Sequence, residues 1–354
     1  MREYDVVIVG AGPAGCVTAT TVDPRRSGLR TLILDYRRIV GVPVQDGEGL
    51  PDYGEMRRIV PGIDCEELFD FPAGIVRHRI EGMKFVAPSG RAYVGDLKGW
   101  TIDRDRLDQH FAAQAVERGA ELQLSTRVVR VENGTVWTAG EPIRARWIIG
   151  ADGPNSVVAA SVPGLGPNRA MCRCAFVVVE GDFREDLIEL WFGREWKGGY
   201  FWLFPKGTQA NIGLGVRGRA NPRELLDAAL ARLSRRKSFR LSFRGGGVVP
   251  LGGLKPRLAN EHVALVGDAA GMVFPSNGGG TACAMLAGKI LGETLRERRP
   301  LADYEQRVRK LLERPLARSL TMRRLLDVTF YRDGMLDLMM RLADHTGWRR
   351  FIIG

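Results

Sequence analysis

Short apolar runs alternate with helical periodicities along the first part of this chain. Residues 4–10 form an apolar run typical of a parallel strand that is buried on both faces. A segment of small residues with helical character extends from there to about Val22, and a second apolar run covers residues 30–35. A strand, a tight turn, a helix and a second strand in this order form the core of a βαβ unit.

The same pattern continues towards residue 165. Residues 36–56, which are rich in Gly, Pro and acidic residues, are predicted to form a loop. Residues 103–118 carry apolar side chains at helical spacing, and residues 128–138 resemble a hairpin. Another buried strand is predicted at residues 147–150.

The pattern changes in the middle of the chain. Residues 75–99 and 170–258 contain short runs of alternating apolar and polar positions, as antiparallel strands do, with one helix near residues 222–235. A buried strand at residues 262–267 and a helix at 282–298 then restore the first pattern. The rest of the chain, from residue 301, is predicted to be helical.

Together these elements predict a mixed α/β (α+β) protein. It should contain a Rossmann-type nucleotide-binding domain, an antiparallel-sheet domain that binds the substrate, and a C-terminal helical segment. The predicted boundaries are 1–74, 100–165 and 259–298 for the nucleotide-binding domain, 75–99 and 166–258 for the sheet domain, and 299–354 for the helical region.

Composition restricts the classes of partner. The net charge is +11, and 8 of the 52 basic residues are Lys. This excess predicts attraction to an anionic lipid surface or a phosphorylated substrate, unless it only reflects an Arg-rich proteome. A nucleic-acid partner is disfavoured because the sequence has no basic module interleaved with aromatic residues and no helix-turn-helix or RNA-binding signature.

Cysteines and hydropathy suggest a cytoplasmic protein. The five cysteines are too scattered for a disulfide scaffold or a zinc site, so no metal is expected. Cys172 and Cys174 would share one face of a strand, which favours two small buried side chains over a redox pair. The chain enters a strand at once and has no apolar run of about 18 residues, which predicts no signal peptide and no membrane span.

A glycine turn after the first strand predicts a dinucleotide cofactor. Gly10 permits a tight turn, Gly12 lets the backbone approach a pyrophosphate, and Gly15 lets the helix pack closely on the strand. Asp35 ends the second strand 20 residues after Gly15. An acidic side chain at that position accepts a hydrogen bond from a ribose hydroxyl.

Two further motifs follow predicted strands. Asp152 and Gly153 come after the strand at residues 147–150, and Gly267 and Asp268 come after the later strand. The carboxyl ends of parallel strands meet at one edge of a sheet, where ligands bind, so these motifs should converge there. Asp268 is expected to hold a ribityl hydroxyl or a water beside the pyrophosphate.

These motifs, with the segment Arg104-Asp-Arg-Leu-Asp108, resemble the p-hydroxybenzoate-hydroxylase-like superfamily of FAD enzymes. The resemblance covers residues 1–295 discontinuously and implies that FAD is the cofactor, with Arg104 beside its pyrophosphate. The helix-start amides around residues 278–281 would stabilise negative charge on the reduced flavin. With the positions that align with the family, the predicted cofactor-binding set is Gly10, Gly12, Ala14, Gly15, Asp35, Asp46, Gly47, Gly49, Arg104, Val128, Asp152, Gly153, Gly267, Asp268, Gly279, Gly280 and Thr281.

Residues 199–206 (Gly-Tyr-Phe-Trp-Leu-Phe-Pro-Lys) resemble the Tyr-x-Trp-x-Phe-Pro motif of one branch, the geranylgeranyl reductase family. Residues 35–49 and 210–215 are similar to that family as well. Alternating aromatic side chains share one face of a strand, where they form either the wall of an elongated apolar cavity or an ordinary sheet core. The predicted substrate-binding residues are Tyr200, Trp202, Phe204 and Pro205.

The resemblance implies an FAD-dependent reductase of geranylgeranyl chains. Its substrates would be archaeal-type isoprenoid membrane lipids or their isoprenyl diphosphate precursors, whose C=C bonds receive hydride from reduced flavin. Archaeal members commonly carry Cys where this chain has Asp46, which makes Asp46 the candidate proton source. NAD(P)H and ferredoxin are both open as electron donors, because no second GxGxxG marks a nicotinamide domain.

The sequence is also compatible with two alternatives. Halogenases of the superfamily carry a similar aromatic strand, so an FAD-dependent aromatic monooxygenase or halogenase is the runner-up, and a non-redox lipid-binding or flavin-carrying protein is a third reading. The Arg-rich C-terminal region would either contact an anionic membrane peripherally or only cover the core. Its candidate membrane-facing residues are Arg318, Arg323, Arg324, Leu325, Leu326 and Phe330.

Overall fold

The computed structural model describes residues 1–196, 198–329 and 332–345, which form two sheets and a set of covering helices. The strands are β1 (Arg2–Val9), β2 (Thr31–Leu34), β3 (Gly49–Pro51), β4 (Val76–Val86), β5 (Ala92–Ile102), β6 (Glu121–Gln123), β7 (Val128–Glu132), β8 (Thr135–Thr138), β9 (Ile143–Gly150), β10 (Met171–Phe183), β11 (Leu187–Trp191), β12 (Phe201–Pro205), β13 (Gly207–Val216), β14 (Arg240–Pro250) and β15 (Val263–Leu265). The α-helices are α1 (Pro13–Val22), α2 (Pro24–Ser27), α3 (Tyr53–Ile59), α4 (Arg104–Glu117), α5 (Val157–Ser161), α6 (Pro222–Leu233), α7 (Thr281–Arg296), α8 (Leu301–Val308), α9 (Arg314–Thr329) and α10 (Asp333–His345).

The first sheet has the order β6-β2-β1-β9-β8-β7, and β15 also pairs with β9. Strands β6, β2, β1, β9 and β15 are parallel, while the β7–β8 hairpin joins β9 in the antiparallel sense. The predicted buried strands and the hairpin are therefore confirmed. The parallel arrangement brings the carboxyl ends of β1, β2, β9 and β15 to one edge.

Small residues hold α1 and α7 together above this edge. A Cβ added at Gly288 would lie 2.7 Å from the Ala14 carbonyl oxygen, and one at Gly292 would lie 2.7 Å from the Thr18 carbonyl oxygen. Only glycine permits this approach, because any side chain would displace the α1 backbone. The contacts set α1 and α7 in the same direction, with Gly267 packed between Ala14 and the first turn of α7.

The second sheet has the order β14-β10-β13-β12-β11-β4-β5-β3. All its pairs are antiparallel except β11 with β4, which is parallel, so the prediction of a wholly antiparallel sheet is wrong at that pair. Phe201 and Leu203 of β12 pack towards α6, while Trp202 joins the cluster on the opposite face. Side chains alternate strictly along β12. One face of the strand therefore packs against α6, and the other face joins a separate, aromatic-rich cluster.

The prediction of a continuous loop over residues 36–56 is wrong. Three residues within it form β3, which pairs with β5 of the second sheet, and α3 begins at Tyr53. The Asp52 side chain caps α3 by accepting a hydrogen bond of 2.7 Å from the Glu55 amide. A strand of three residues is too short to show the alternation of apolar and polar positions by which a strand is recognised in a sequence. The predicted domain boundaries stay a prediction, although β3 shows that the 1–74 segment contributes to both sheets.

The C-terminal helices join the two sheets. Leu301 and Tyr304 of α8 belong to the core beneath the first sheet, and a π-helical turn at Arg309–Glu313 leads into α9. Met322 of α9 and Leu336 of α10 pack on the aromatic face of the second sheet. The predicted helical region is confirmed over residues 301–329 and 333–345, and its residues 330–331 and 346–354 lie outside the described residues.

The predicted membrane-facing cluster on α9 is wrong for two of its members. Arg323 and Leu326 are each 5% exposed and point into the protein. Arg318, Arg324 and Leu325 are exposed, and Phe330 lies outside the described residues. Within residues 1–196, 198–329 and 332–345, no helix combines the length and the apolar character needed to cross a membrane.

Candidate functional site

A cavity of about 820 Å³ lies between the ligand-binding edge of the first sheet and the aromatic face of the second. Its wall includes every predicted cofactor-binding residue except Gly15, and every predicted substrate-binding residue except Pro205. Gly15 instead packs against the Gly10 backbone, and Pro205 ends β12 outside this wall. One continuous space therefore contacts the dinucleotide motifs and the aromatic strand.

The three glycines of the turn have different structural functions. Gly10 has φ of +109°, and a Cβ there would lie 2.2 Å from the Ala151 carbonyl oxygen. A Cβ at Gly15 would lie 2.1 Å from the Gly10 carbonyl oxygen. Gly12, by contrast, has no atom within 4 Å of its Cβ position, which opens into the cavity. The turn thus leaves bare backbone at the start of α1, which fits a pyrophosphate.

Asp35 fixes this turn from the end of β2. Its carboxylate accepts hydrogen bonds from the Ala11 amide at 2.9 Å and from the Arg37 amide at 2.8 Å. The side chain is buried but borders the cavity. The ribose contact stays a prediction, and the bond to Ala11 adds a structural function that the sequence motif did not indicate.

Asp152 serves mainly as a helix cap. Its carboxylate accepts hydrogen bonds from the Ser156 hydroxyl at 2.5 Å, the Val157 amide at 2.7 Å and the Val158 amide at 3.1 Å. Burial raises the pKa of Asp152, and these hydrogen bonds oppose the shift. Gly153, with φ of +77° and no atom within 4 Å of its Cβ position, is the part of this motif that presents open backbone to the cavity.

Asp268 follows β15 on the cavity wall. Burial raises the pKa of Asp268 to about 6, the Arg104 guanidinium opposes this shift, and the Asp46 carboxylate adds to it. A Cβ at Gly280 would lie 3.2 Å from the Asp268 carboxylate, so the start of α7 lies directly beside this group. The predicted convergence of the strand-end motifs is therefore present.

Arg104 connects three segments at the cavity. Its Nε donates to the Asp108 carboxylate at 2.9 Å, and its Nη1 donates to the Asp46 carboxylate and, at 3.2 Å, to the Thr281 hydroxyl. Asp46 also accepts a hydrogen bond of 2.5 Å from the Glu48 amide. In this arrangement Arg104 holds the loop of residues 46–49 against the first turns of α4 and α7.

Sequence reasoning missed a second charged group beneath this loop. The Lys206 ammonium lies 2.9 Å from the Glu48 carboxylate and 3.0 Å from that of Asp103. Asn211 donates to Glu48 at 3.1 Å and accepts a hydrogen bond of 2.9 Å from the Trp202 indole. Lys206 is the last residue of the aromatic motif, and Asn211 lies in the segment of residues 210–215. Neither position in the sequence indicates that its partner is Glu48, which lies far away in the chain.

The aromatic side chains form one wall of the cavity, which is the first of the two arrangements that their alternation allows. Ring centroids of Tyr200 and Trp202 are 6.1 Å apart, and those of Trp202 and Phe204 are 6.2 Å apart. The Tyr200 hydroxyl donates to the Asn277 carbonyl, and burial raises the pKa of Tyr200. The prediction for Pro205 is wrong: it ends β12 outside the cavity, where its carbonyl accepts a hydrogen bond of 2.6 Å from a buried threonine.

Two thiols also face the cavity. Cys172 and Cys174 share one face of β10 and border the space beside Gly215, whose missing side chain leaves room for both sulfur atoms. A hydrogen bond between them lowers the pKa of Cys172 and raises that of Cys174. The expectation of two small buried side chains holds for Cys172, while Cys174 is half-buried at the cavity.

Comparisons with known proteins agree with this geometry. The family described as the geranylgeranyl reductase catalytic domain matches residues 170–248. A digeranylgeranylglycerophospholipid reductase of Methanocaldococcus jannaschii is 31% identical over 89% of this chain and 83% of its own length. Digeranylgeranylglycerophospholipid reductase 2 of Methanopyrus kandleri is 34% identical over 83% of this chain and 77% of its own.

Solved structures with the same architecture include a geranylgeranyl bacteriochlorophyll reductase-like protein of Thermoplasma acidophilum. Its TM-score is 0.80 at 26% identity, with 95% of this chain and 91% of that chain covered. A flavin-dependent brominase has a TM-score of 0.69 at 17% identity over 99% of this chain and 94% of its own. At that identity the brominase shares the fold alone.

Proposed function

The chain belongs to the geranylgeranyl reductase family, and from this premise we propose that it binds FAD and saturates C=C bonds of geranylgeranyl chains. The substrates would be isoprenoid phospholipids or their diphosphate precursors. The observation that supports this most directly is the single cavity that contacts both the glycine turn and the wall of Tyr200, Trp202 and Phe204. A dinucleotide and a long apolar chain can therefore share one enclosed space.

The residues present fit FAD. Open backbone at Gly12 and Gly153 would receive the pyrophosphate, Asp35 a ribose hydroxyl, and the first turn of α7 around Gly280 and Thr281 the flavin ring. The other predicted cofactor contacts are proposed on the same basis, because they border the same cavity. When bound and reduced, FAD supplies the hydride that an isolated C=C bond needs.

The apolar wall would align the alkene and keep water away. Trp202 and Phe204 pack against the loop of residues 46–49, since a Cβ at Gly47 or Gly49 would lie 3.1 Å from the Phe204 ring. Substrate bound along these rings would displace water from the space next to the loop. Exclusion of water strengthens the electrostatic interactions that remain there.

We also propose that Asp46 supplies the proton to the second alkene carbon, next to the carbon that receives the hydride. Its support is position: the carboxyl group borders the cavity in the loop that contacts Phe204. In the structure Asp46 is an acceptor for Arg104 and for the Glu48 amide. The ion pair with Arg104 must open before the Asp46 carboxyl group can hold a proton at Oδ2 and deliver it.

Location and electron donor belong to the same proposal. We propose that the enzyme works in the cytoplasm, in peripheral contact with anionic membrane, with NAD(P)H or a ferredoxin as donor. The membrane contact is supported by the net charge of +11 and by exposed apolar side chains on α9 and α10. These side chains are Leu325, Val328, Met335, Leu338 and Leu342.

An anaerobic assay tests the reaction. The FAD-loaded protein is reduced with dithionite and mixed with geranylgeranyl diphosphate or a digeranylgeranylglycerol phospholipid, and flavin absorbance and product mass are followed. We expect flavin reoxidation together with a gain of two hydrogens for each saturated bond. Reduced flavin that is stable with every isoprenoid, together with NAD(P)H oxidation driven by aromatic compounds, would transfer support to a monooxygenase.

A further inference from the structure

We propose that Arg217, Arg323 and Asp327 form a binding site for the anionic head of the substrate, at an opening of the cavity beside α9. The inference rests on the proposed function, which requires a long apolar substrate with a head group. The chemistry recognised is a phosphate ester joined to an apolar chain.

The three side chains form one cluster. Arg217 Nη1 donates to Asp327 Oδ2 at 2.8 Å, and Arg323 Nη2 donates to the same oxygen at 3.2 Å. Arg323 Nη1 also donates to the Leu251 carbonyl at 3.1 Å. Arg323 and Asp327 both border the cavity, and so does Leu251.

Two guanidinium groups sharing one carboxylate leave one positive charge in excess. The Arg323 side chain is 6% exposed, and those of Arg217 and Asp327 are about a third exposed, so the excess charge lies at the edge of the protein interior. Burial lowers the pKa of Arg323, and the nearby Arg217 adds to this effect. A cation in such a place is stabilised by an anionic partner, and the planar fork of an arginine matches phosphate oxygens well.

A glycine on the cavity wall keeps the stem of Arg217 in place. Gly198 has φ of +75°, and a Cβ there would lie 2.8 Å from Arg217 Cδ and 2.9 Å from its Cβ. Gly198 therefore leaves the space through which the Arg217 side chain passes on its way to Asp327. The glycine borders the cavity itself, so the path of the guanidinium lies directly behind the wall.

The apolar part of the ligand has a continuous surface from this point. Leu326 lies between Arg323 and Asp327 in the chain, borders the cavity, and belongs to the same cluster as Phe176 and Trp202. A head group at the two arginines would thus place the first carbons of its chain on Leu326. From there the chain would run along the aromatic wall.

Equilibrium binding tests the site without turnover. Quenching of tryptophan fluorescence gives Kd values of the FAD-loaded, oxidised protein for geranylgeranyl diphosphate, digeranylgeranylglyceryl phosphate and geranylgeraniol, which lacks the phosphate. Arg217→Met and Arg323→Met remove one guanidinium each and keep an apolar stem. Arg324→Met, at an exposed position next to Arg323, is the matched control.

We expect wild type and Arg324→Met to prefer the phosphorylated ligands by about tenfold or more over geranylgeraniol, which corresponds to about 1.4 kcal/mol. Arg217→Met should reduce this preference about tenfold and leave geranylgeraniol binding unchanged. A larger loss with one phosphorylated ligand identifies the natural head group. An unchanged preference in Arg217→Met, or an equal loss in Arg324→Met, overturns the site even if Arg323→Met fails to fold. The binding measurement needs no reductant and no turnover. If the reduction assay shows no product, the Kd values still decide whether the arginines bind the phosphate.

Discussion

Lys206 Nζ lies 2.9 Å from the Glu48 carboxylate, and both side chains are buried. Glu48 belongs to the loop that borders the cavity, and Lys206 immediately follows β12, whose aromatic residues form the cavity wall. The ion pair therefore joins the loop beside the proposed flavin site to the strand beside the proposed substrate site. It fixes the distance between the two halves of the cavity.

Removal of one partner of this pair should be strongly destabilising. Lys206→Met leaves Glu48 as a buried carboxylate without its ammonium partner, and such a loss costs about 3 to 5 kcal/mol. Urea unfolding of the FAD-loaded protein measures the change. Arg240→Met, which breaks an exposed pair with Glu180, serves as the control and should cost less than about 1 kcal/mol. Similar losses in both variants would contradict the structural function of Lys206.

Gly12 and Gly10 should respond differently to substitution. Gly12→Val adds a side chain only to open space, so the apo protein should unfold at the wild-type temperature while its bound flavin is lost. Gly10→Ala puts a methyl group 2.2 Å from the Ala151 carbonyl oxygen and should lower the melting temperature itself. Differential scanning calorimetry and the ratio of flavin to protein absorbance separate the two effects. Full flavin content in Gly12→Val would show that the pyrophosphate does not approach this turn.

Asp268 should make the flavin-free protein less stable as the pH rises. Because burial raises the pKa of Asp268 from 3.8 to about 6, the folded state binds this proton more tightly than the unfolded chain. Its contribution to stability is complete below pH 3.8 and is lost as the pH rises through about 6. Asp268→Asn should remove this part of the pH dependence, which unfolding curves at several pH values would reveal. Parallel curves for the two proteins would argue against the raised pKa.

Asp46→Asn should slow alkene reduction and leave FAD bound. Loss of a positioned acid lowers rates by about 100-fold or more, whereas the amide still accepts hydrogen bonds from the neighbours of Asp46. Flavin reoxidation by geranylgeranyl diphosphate measures the step, and Asp46→Cys supplies a thiol that should restore part of the rate. Turnover of Asp46→Asn at the wild-type rate would exclude Asp46 as the proton source.

Local patterns predicted most of the fold and the dinucleotide side of the site. Gly10, Gly12 and Asp35 were identifiable because a strand, a turn and a helix follow one another in the chain. Glu48 and Lys206 were not, because their contact joins residues more than 150 positions apart and no periodicity marks it. Arg323 was expected at the surface because α9 is rich in arginine, but tertiary packing turns this residue inwards.

The close contact of α1 with α7 has an electrostatic consequence. Each helix carries roughly half a positive charge at its amino end, and the two helices run in the same direction with their amino ends at the same edge of the first sheet. The close contacts at Gly288 and Gly292 lie inside α7, so its amino end extends past that of α1, and Gly267 lies between Ala14 and the first turn of α7. A bound dinucleotide would contact both ends, with its pyrophosphate at the start of α1 and its flavin ring at the start of α7, so occupancy of the site should tighten the packing of these two helices.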